Sequence, residues 1–370
     1  MIYFAIIGLP ILLACCSDHT KGVLSLLLFC FALFVPCFFA GVRDATVGTD
    51  VMTYAVWTFD AARRSSLSSF LVSYADISAL GFNLISWIMA KIGSFPMYLG
   101  LLQALVVIPI CGYAKRLYPR TSAAAMALYM LLLFPFSLNA MKQMIAVALC
   151  VPVLKLADNG RPLRFCCAVL AIAYLFHQTA IVALGYYPFL IAIRQIGSKR
   201  AFFGKAQSLA VIVIIVALFL ISFGFGSRFI QVLSSLKESY SYQASASGTR
   251  LNYSALVLLL GVVLVYALDQ HGIGKKSALY GGNRIFGLLA IIGALAVQLN
   301  MVADSLSRFS YYGLSFLPLY GSSFSGREKN RDQGLAILLI ALCVAYFLQA
   351  FVVNQGNQIY PYTSSLLGIL

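Results

Sequence analysis

The sequence predicts an all-α fold: a polytopic transmembrane helical bundle of about 12 spans plus a short re-entrant or interfacial helix. Three observations carry this reading. Of 370 residues, 61% are hydrophobic and 10% charged, whereas a water-facing domain carries about 25% charged residues. Apolar runs near the ~20 residues that a bilayer requires recur along the chain. Basic residues collect in alternate loops between those runs. The strands of a membrane β-barrel alternate polar and apolar residues; stretches such as 209–220 and 336–348 are apolar all round and read as helices.

In chain order the runs lie at 2–16, 23–41, 96–114, 121–137, 138–157, 163–177, 178–193, 207–226, 253–268, 285–302, 306–324 and 334–353. The first has no basic segment ahead of it, so it reads as a retained helix rather than a signal peptide. Residues 79–93 are apolar but short and contain Asn83 and Lys91, which suits a re-entrant or interfacial helix. Loop charge chooses twelve spans over thirteen. One set of loops then holds 17 of the 26 basic residues: Lys21; Lys115, Arg116, Arg120; Lys155, Arg161, Arg164; Arg194, Lys199, Arg200, Lys205; Lys275, Lys276, Arg284; Arg327, Lys329, Arg331. This set is assigned to the inside, with both termini outside. The chain reads as one integral membrane domain, 1–370. Two outer loops, 41–96 and 227–252, are too long for plain connectors and are expected to cap the bundle.

The net charge of +15 has a bland source in positive-inside topology and anionic lipid, and a sharper one in a site for an anionic substrate. Nucleic acid is a poor fit, because no basic soluble domain exists to carry it. The nine Cys sit in or at the ends of apolar runs without a CxxC pair, and read as buried small hydrophobes. No metal-ligand cluster, phosphate-binding glycine loop or nucleophile elbow occurs. An enzyme here is expected to work without a protein-held metal or cofactor.

Ionisable groups at membrane depth are costly and are often functional. Here they gather at the outer ends of the spans: Arg43 and Asp50 after the second run, Asn139, Lys142 and Gln143 after Phe134-Pro-Phe-Ser-Leu, His177 at the end of a run, and Asp304 and Arg308 at the start of another. Each has an ordinary explanation. A lone His at a helix end is commonly an interfacial residue, Lys142 has the reach to snorkel, Asp304 and Arg308 have the spacing of an i, i+4 ion pair, and Tyr311 and Tyr312 suit an aromatic belt. Their shared side, assigned from the opposite loops, points to an outward-facing site.

The segment Gly41-Val-Arg-Asp-Ala-Thr-Val-Gly-Thr-Asp-Val-Met-Thr-Tyr54 resembles the motif after the second helix in the EpsG-like family, relatives of the Wzy O-antigen polymerases. Ala79-Leu-Gly-Phe-Asn, Phe136-Ser-Leu-Asn-Ala-Met-Lys-Gln143, Phe176-His177 and Arg308-Phe-Ser-Tyr-Tyr resemble four further family elements in the same order. Two departures stand out: Lys142 replaces the family's usual Arg, and the Gly-Phe element lacks its preceding Glu.

The resemblance implies a GT-C-like glycosyltransferase that polymerises oligosaccharide repeat units of O-antigen or exopolysaccharide. These are carried on undecaprenyl diphosphate at the periplasmic face of the inner membrane. The products would include the long chains of lipopolysaccharide. Partners would be the lipid-linked oligosaccharide, membrane lipid and a chain-length regulator protein. On this reading Arg43, Lys142, Arg250 and Arg308 bind the diphosphate, and Asp50 or His177 serves as base, the alternative for Asp50 being to orient a cation. Tyr54, Asn139, Gln143 and Tyr312 support the substrate. An O-antigen ligase shares the chemistry but is expected to have a larger second outer loop. A flippase or transporter is expected to have polar groups nearer mid-membrane and broken helices.

Overall fold

The computed structural model describes residues 2–74, 80–196, 252–272, 281–301, 304–325 and 330–369. Among these the chain is helical, with one isolated β-bridge between Ser364 and Ile369. Four helices are long and apolar enough to cross a membrane: Gly22–Val42, Phe95–Leu117, Ser122–Asn139 and Asp332–Val353. Six shorter apolar helices accompany them, and Met141–Asp158 has 18 residues but carries Lys142, Lys155 and Asp158. The run 207–226 and the loop 227–251 lie outside the described residues.

In chain order the helices are α1 (Phe4–His19), α2 (Gly22–Val42), α3 (51–64), α4 (Leu67–Ser73), α5 (Leu80–Ile92), α6 (Phe95–Leu117), α7 (Ser122–Asn139), α8 (Met141–Asp158) and α9 (Pro162–Leu175). A 3₁₀ segment, Gln178–Gly185, leads to α10 (Tyr186–Ile196), α11 (Tyr253–Gly272) and α12 (Gly281–Ala296). The last are α13 (Asp304–Ser307), α14 (Ser310–Leu314), α15 (Leu317–Ser325) and α16 (Asn330–Phe347). Two expectations change in detail. The 41–96 segment holds α3 and α4 in addition to the short helix expected at 79–93, which is α5. The 306–324 run is divided: Pro318 has no N–H to donate and biases the residue before it away from the helix, so it sits in the first turn of α15.

The helices form two compact units, Met1–Leu184 with Leu317–Leu370, and Gly185–Phe316. In the first, α7 is the central helix: 94% of its apolar window is buried in protein, against 33% for α2. Leu24, Leu27, Phe31 and Phe34 of α2 instead face outward, as a lipid-facing stripe should. The amino end of α7 has no cap of its own. Asp18, at the end of α1, supplies one by accepting from the N–H groups of Ser122 at 3.0 Å and Ala123 at 2.9 Å. A carboxylate there meets both unpaired donors and the positive end of the helix dipole. Deeper in, the Ser137 hydroxyl donates to Gln103 Oε1 at 2.9 Å while the Gln103 amide donates to the Tyr129 hydroxyl. All three side chains are buried, and in lipid such polar ties hold helices that the hydrophobic effect alone does not pair.

The second unit is built on a glycine crossing. A Cβ on Gly293 of α12 would run into the backbone of Gly313 and Leu314, and one on Gly313 into the backbone of Gly293 and Leu289. Small residues let two helical backbones touch. Around the crossing, Tyr186 donates from its hydroxyl to the Tyr312 carbonyl at 2.8 Å, and its ring meets Phe316 edge-on, with Phe286 stacked on Phe316.

Gly313→Ala is expected to cost about 1–3 kcal/mol by overpacking and to lower the thermal midpoint of the detergent-solubilised protein. Gly185→Ala, where nothing lies within 4 Å of the added carbon, is the control and is expected to leave that midpoint within a degree or two.

Candidate functional site

The site is built where α2 ends. Arg43 leaves the helix in an extended conformation, and residues 44–51 form a tight turn in which Val47 N–H donates to Asp44 at 3.0 Å and Val51 N–H to Gly48 at 3.2 Å. Gly48 has φ +95°, and a Cβ there would lie 2.7 Å from the Leu138 carbonyl oxygen. Both the backbone angle and the room demand glycine, which explains the Gly of Val-Gly-Thr-Asp.

Asn139, the last residue of α7, locks this turn in place. Its Oδ1 accepts from the Thr49 hydroxyl at 2.9 Å and the Asp50 N–H at 2.8 Å, and its Nδ2 donates to Asn357 Oδ1 at 3.1 Å. It is 4% exposed. Its amide therefore fastens the Asp50 turn to α7, and its contribution to the site is to place Asp50.

The carboxy-terminal segment completes the frame, and sequence reasoning missed it. Asp44 N–H donates to the Thr363 carbonyl and Gly48 N–H to the Gln358 carbonyl, both at 3.1 Å. The Tyr362 hydroxyl donates to the Phe39 carbonyl at 2.7 Å, and Ser365 N–H to Asp44 Oδ1 at 2.8 Å. That last bond holds the Asp44 carboxyl below its usual range. The one available signal was the polar stretch 354–365 after the last apolar run, which carries Asn354, Gln355, Asn357, Gln358 and three hydroxyl residues at 363–365.

Arg43 lies inside this frame, 6% exposed. Its Nη2 approaches the Met141 sulfur at 3.7 Å, a weak acceptor, and its buried Nε and Nη1 have no hydrogen-bond partner among the described residues. Burial pushes the guanidinium down to about 9, which leaves it cationic at neutral pH. The phenol of nearby Tyr362 is raised by burial and stays neutral. A buried guanidinium without an anion is costly, and an anionic ligand removes that cost.

A break at Ala140 (φ −79°, ψ 56°) separates α7 from α8, and the next three residues reach three parts of the site. Met141 touches Arg43. The Lys142 ammonium lies 5.6 Å from the Tyr54 ring centre and 5.4 Å from that of Phe82. There it lines a cleft of about 430 Å³ with Thr53, Tyr54, Trp57, Thr58, Ser73, Tyr74 and Asn83. Gln143 donates to the Thr179 hydroxyl at 3.3 Å, and that hydroxyl lies 2.7 Å from His177 Nδ1. Thr179 N–H also donates to Nδ1, at 3.3 Å. Donors converge on Nδ1, so the neutral ring carries its proton on Nε2.

The Gly-Phe element has a steric reason. A Cβ on Gly81 would lie 2.9 Å from the Leu175 carbonyl oxygen, so glycine lets α5 close on the end of α9, two residues before His177. Phe82 is then buried beneath Lys142.

Six of the expected residues are thus joined through Asn139–Gln143: Arg43, Asp50, Asn139, Lys142, Gln143 and His177. Tyr54 joins them under Lys142. Arg308 and Tyr312 belong to the second unit. There Arg308 lies in the turn after α13, and Tyr312 is buried with its carbonyl bound by Tyr186. Arg250 lies outside the described residues. Trp57 and the 357–365 segment were not anticipated.

Asn139→Ala is expected to remove the side-chain hydrogen bonds to Thr49, Asp50 and Asn357, each worth about 0.5–1.5 kcal/mol. Hydrogen exchange read by mass spectrometry should then speed up together in peptides covering 44–51 and 356–365. Faster exchange in only one of the two would mean that Asn139 does not tie them.

A family model described as the EpsG family matches residues 26–364. No curated protein and no solved structure matches the chain significantly.

Proposed function

Because the chain belongs to the EpsG family, we propose that it polymerises undecaprenyl-diphosphate-linked oligosaccharide repeat units at the periplasmic face of the inner membrane. The family is associated with Wzy-type polymerases and polysaccharide biosynthesis. The observation that carries the reading is the buried cation at Arg43, with Nε and Nη1 unmet by protein, at the end of a helix apolar enough to span a membrane. A lipid diphosphate brings an anion to that depth.

In the reaction an acceptor sugar hydroxyl attacks the anomeric carbon of the donor chain. The bond from that carbon to the phosphate oxygen breaks, and the lipid diphosphate leaves with the electron pair. Fixed cations stabilise the charge that builds on the leaving oxygen, the role of Arg43 with Lys142. Lys142 offers a point charge where the family's usual Arg offers a fork, so the forked contact falls to Arg43. Asp50 takes the hydroxyl proton. His177, with Nδ1 occupied by Thr179, presents Nε2–H and acts as a hydrogen-bond donor to substrate oxygen. Arg250 and Arg308 are further diphosphate ligands, and Tyr312 a supporting residue, on the resemblance alone.

Arg43→Ala is expected to reduce long-chain polysaccharide by about 100-fold or more while single-unit glycolipid persists. Arg308→Ala should do the same, and both are read on gels of surface glycan at matched protein levels. Normal chain lengths in the Arg43 variant would defeat the assignment. Deleting the gene should remove polymer and leave core capped with a single unit; loss of all surface glycan would indicate a ligase or flippase.

A further inference from the structure

We propose that the cleft beside Lys142 is a glycan subsite that holds the sugar joined directly to the diphosphate, by stacking on Trp57 and Tyr54. The inference rests on the polymerase reading and names the part of its substrate that this surface selects.

A pyranose presents an apolar C–H face and a rim of hydroxyls that donate and accept. The cleft has a counterpart for each. Tyr54 and Trp57 both line the cleft. They are 50% and 68% exposed, although large aromatics dominate protein cores. Thr53, Thr58 and Asn83 supply hydroxyl and amide groups along the same lining. The Asn83 amide N–H already donates to the Tyr74 carbonyl at 2.8 Å, a bond that does not use its acceptor oxygen. A lipid-facing groove gains nothing from such polar groups, and a site for phosphate alone gains nothing from exposed rings. The volume of about 430 Å³ is within the range of small-molecule sites.

The polymerase reading sets which sugar this is. Lys142 forms part of the cleft wall with Tyr54 and Trp57, and on that reading it holds the diphosphate. The sugar attached to a phosphate held by Lys142 then lies next to the two rings. Sugars further along the repeat unit lie farther from the cations.

The chain has two tryptophans, so Trp87→Phe leaves Trp57 as the sole indole reporter. The full-length protein in nanodiscs is titrated with farnesyl diphosphate and with farnesyl-diphosphate-linked glucose, galactose, N-acetylglucosamine and N-acetylgalactosamine. Stacking on a C–H face is common to these hexoses. At least one is expected to shift Trp57 emission and to bind about 10-fold tighter than farnesyl diphosphate, a gain of ~1.4 kcal/mol. By calorimetry, Trp57→Ala should abolish that gain with farnesyl diphosphate affinity unchanged, and Trp57→Phe should keep most of it.

If every glycosylated probe binds no tighter than farnesyl diphosphate, while farnesyl diphosphate still binds in an Arg43-dependent way, the subsite is refuted and the diphosphate site stands. An equal loss of both affinities in Trp57→Ala would make Trp57 an interface anchor and also refutes the subsite. Failure of farnesyl diphosphate itself to bind would overturn the polymerase reading beneath it.

Discussion

The arrangement of the first unit depends on a guanidinium held out of water whose Nε and Nη1 meet no hydrogen-bond partner among the described residues. Arg43 sits one residue beyond a spanning helix, 6% exposed, with Nε and Nη1 unpaired. A charge in that position is unfavourable in the empty protein, and only a rigid surround keeps it from turning toward solvent. Three parts of the chain supply that surround. The turn 44–51 packs on Leu138 through Gly48, Asn139 clamps Thr49 and Asp50, and the carboxy-terminal segment closes over Asp44 and Phe39.

Holding a cation ready before substrate arrives is the costly part of electrostatic catalysis, since no reorganisation is then needed as charge develops. The five residues Asn139–Gln143 organise this. They occupy the break between α7 and α8, where the backbone leaves one helix and starts another. From there they reach the Asp50 turn, Arg43, the cleft and His177 in succession. Because α7 is almost wholly buried in protein, these five residues follow directly on the most buried of the long apolar helices.

The two cations are not equivalent. Arg43 is buried and presents a planar group with several donors; Lys142 is a compact charge resting near the faces of Tyr54 and Phe82. Ring faces attract an ammonium without neutralising it, so these two contacts restrain the position of Lys142 and leave its charge in place. The histidine differs again. Its Nδ1 accepts from the Thr179 N–H and lies beside the Thr179 hydroxyl, which fixes the orientation of the ring.

Composition and periodicity alone determined the membrane class, the helical fold and the approximate place of most helices, because a lipid solvent demands long apolar segments with internally satisfied backbones. They also singled out Arg43, Asp50, Lys142 and His177, since charge at a span end is rare enough to stand out. What they did not contain was adjacency. That Asn139 binds the Asp50 turn across 89 residues, that Asp18 caps α7 from 104 residues away, and that Asn357 and Ser365 close the Arg43 turn from the far end of the chain are long-range hydrogen bonds. Local propensity and hydropathy have no term for such bonds. The division of the 306–324 run and the helices α3 and α4 were likewise decided in three dimensions, by a proline's missing donor and by packing against neighbours.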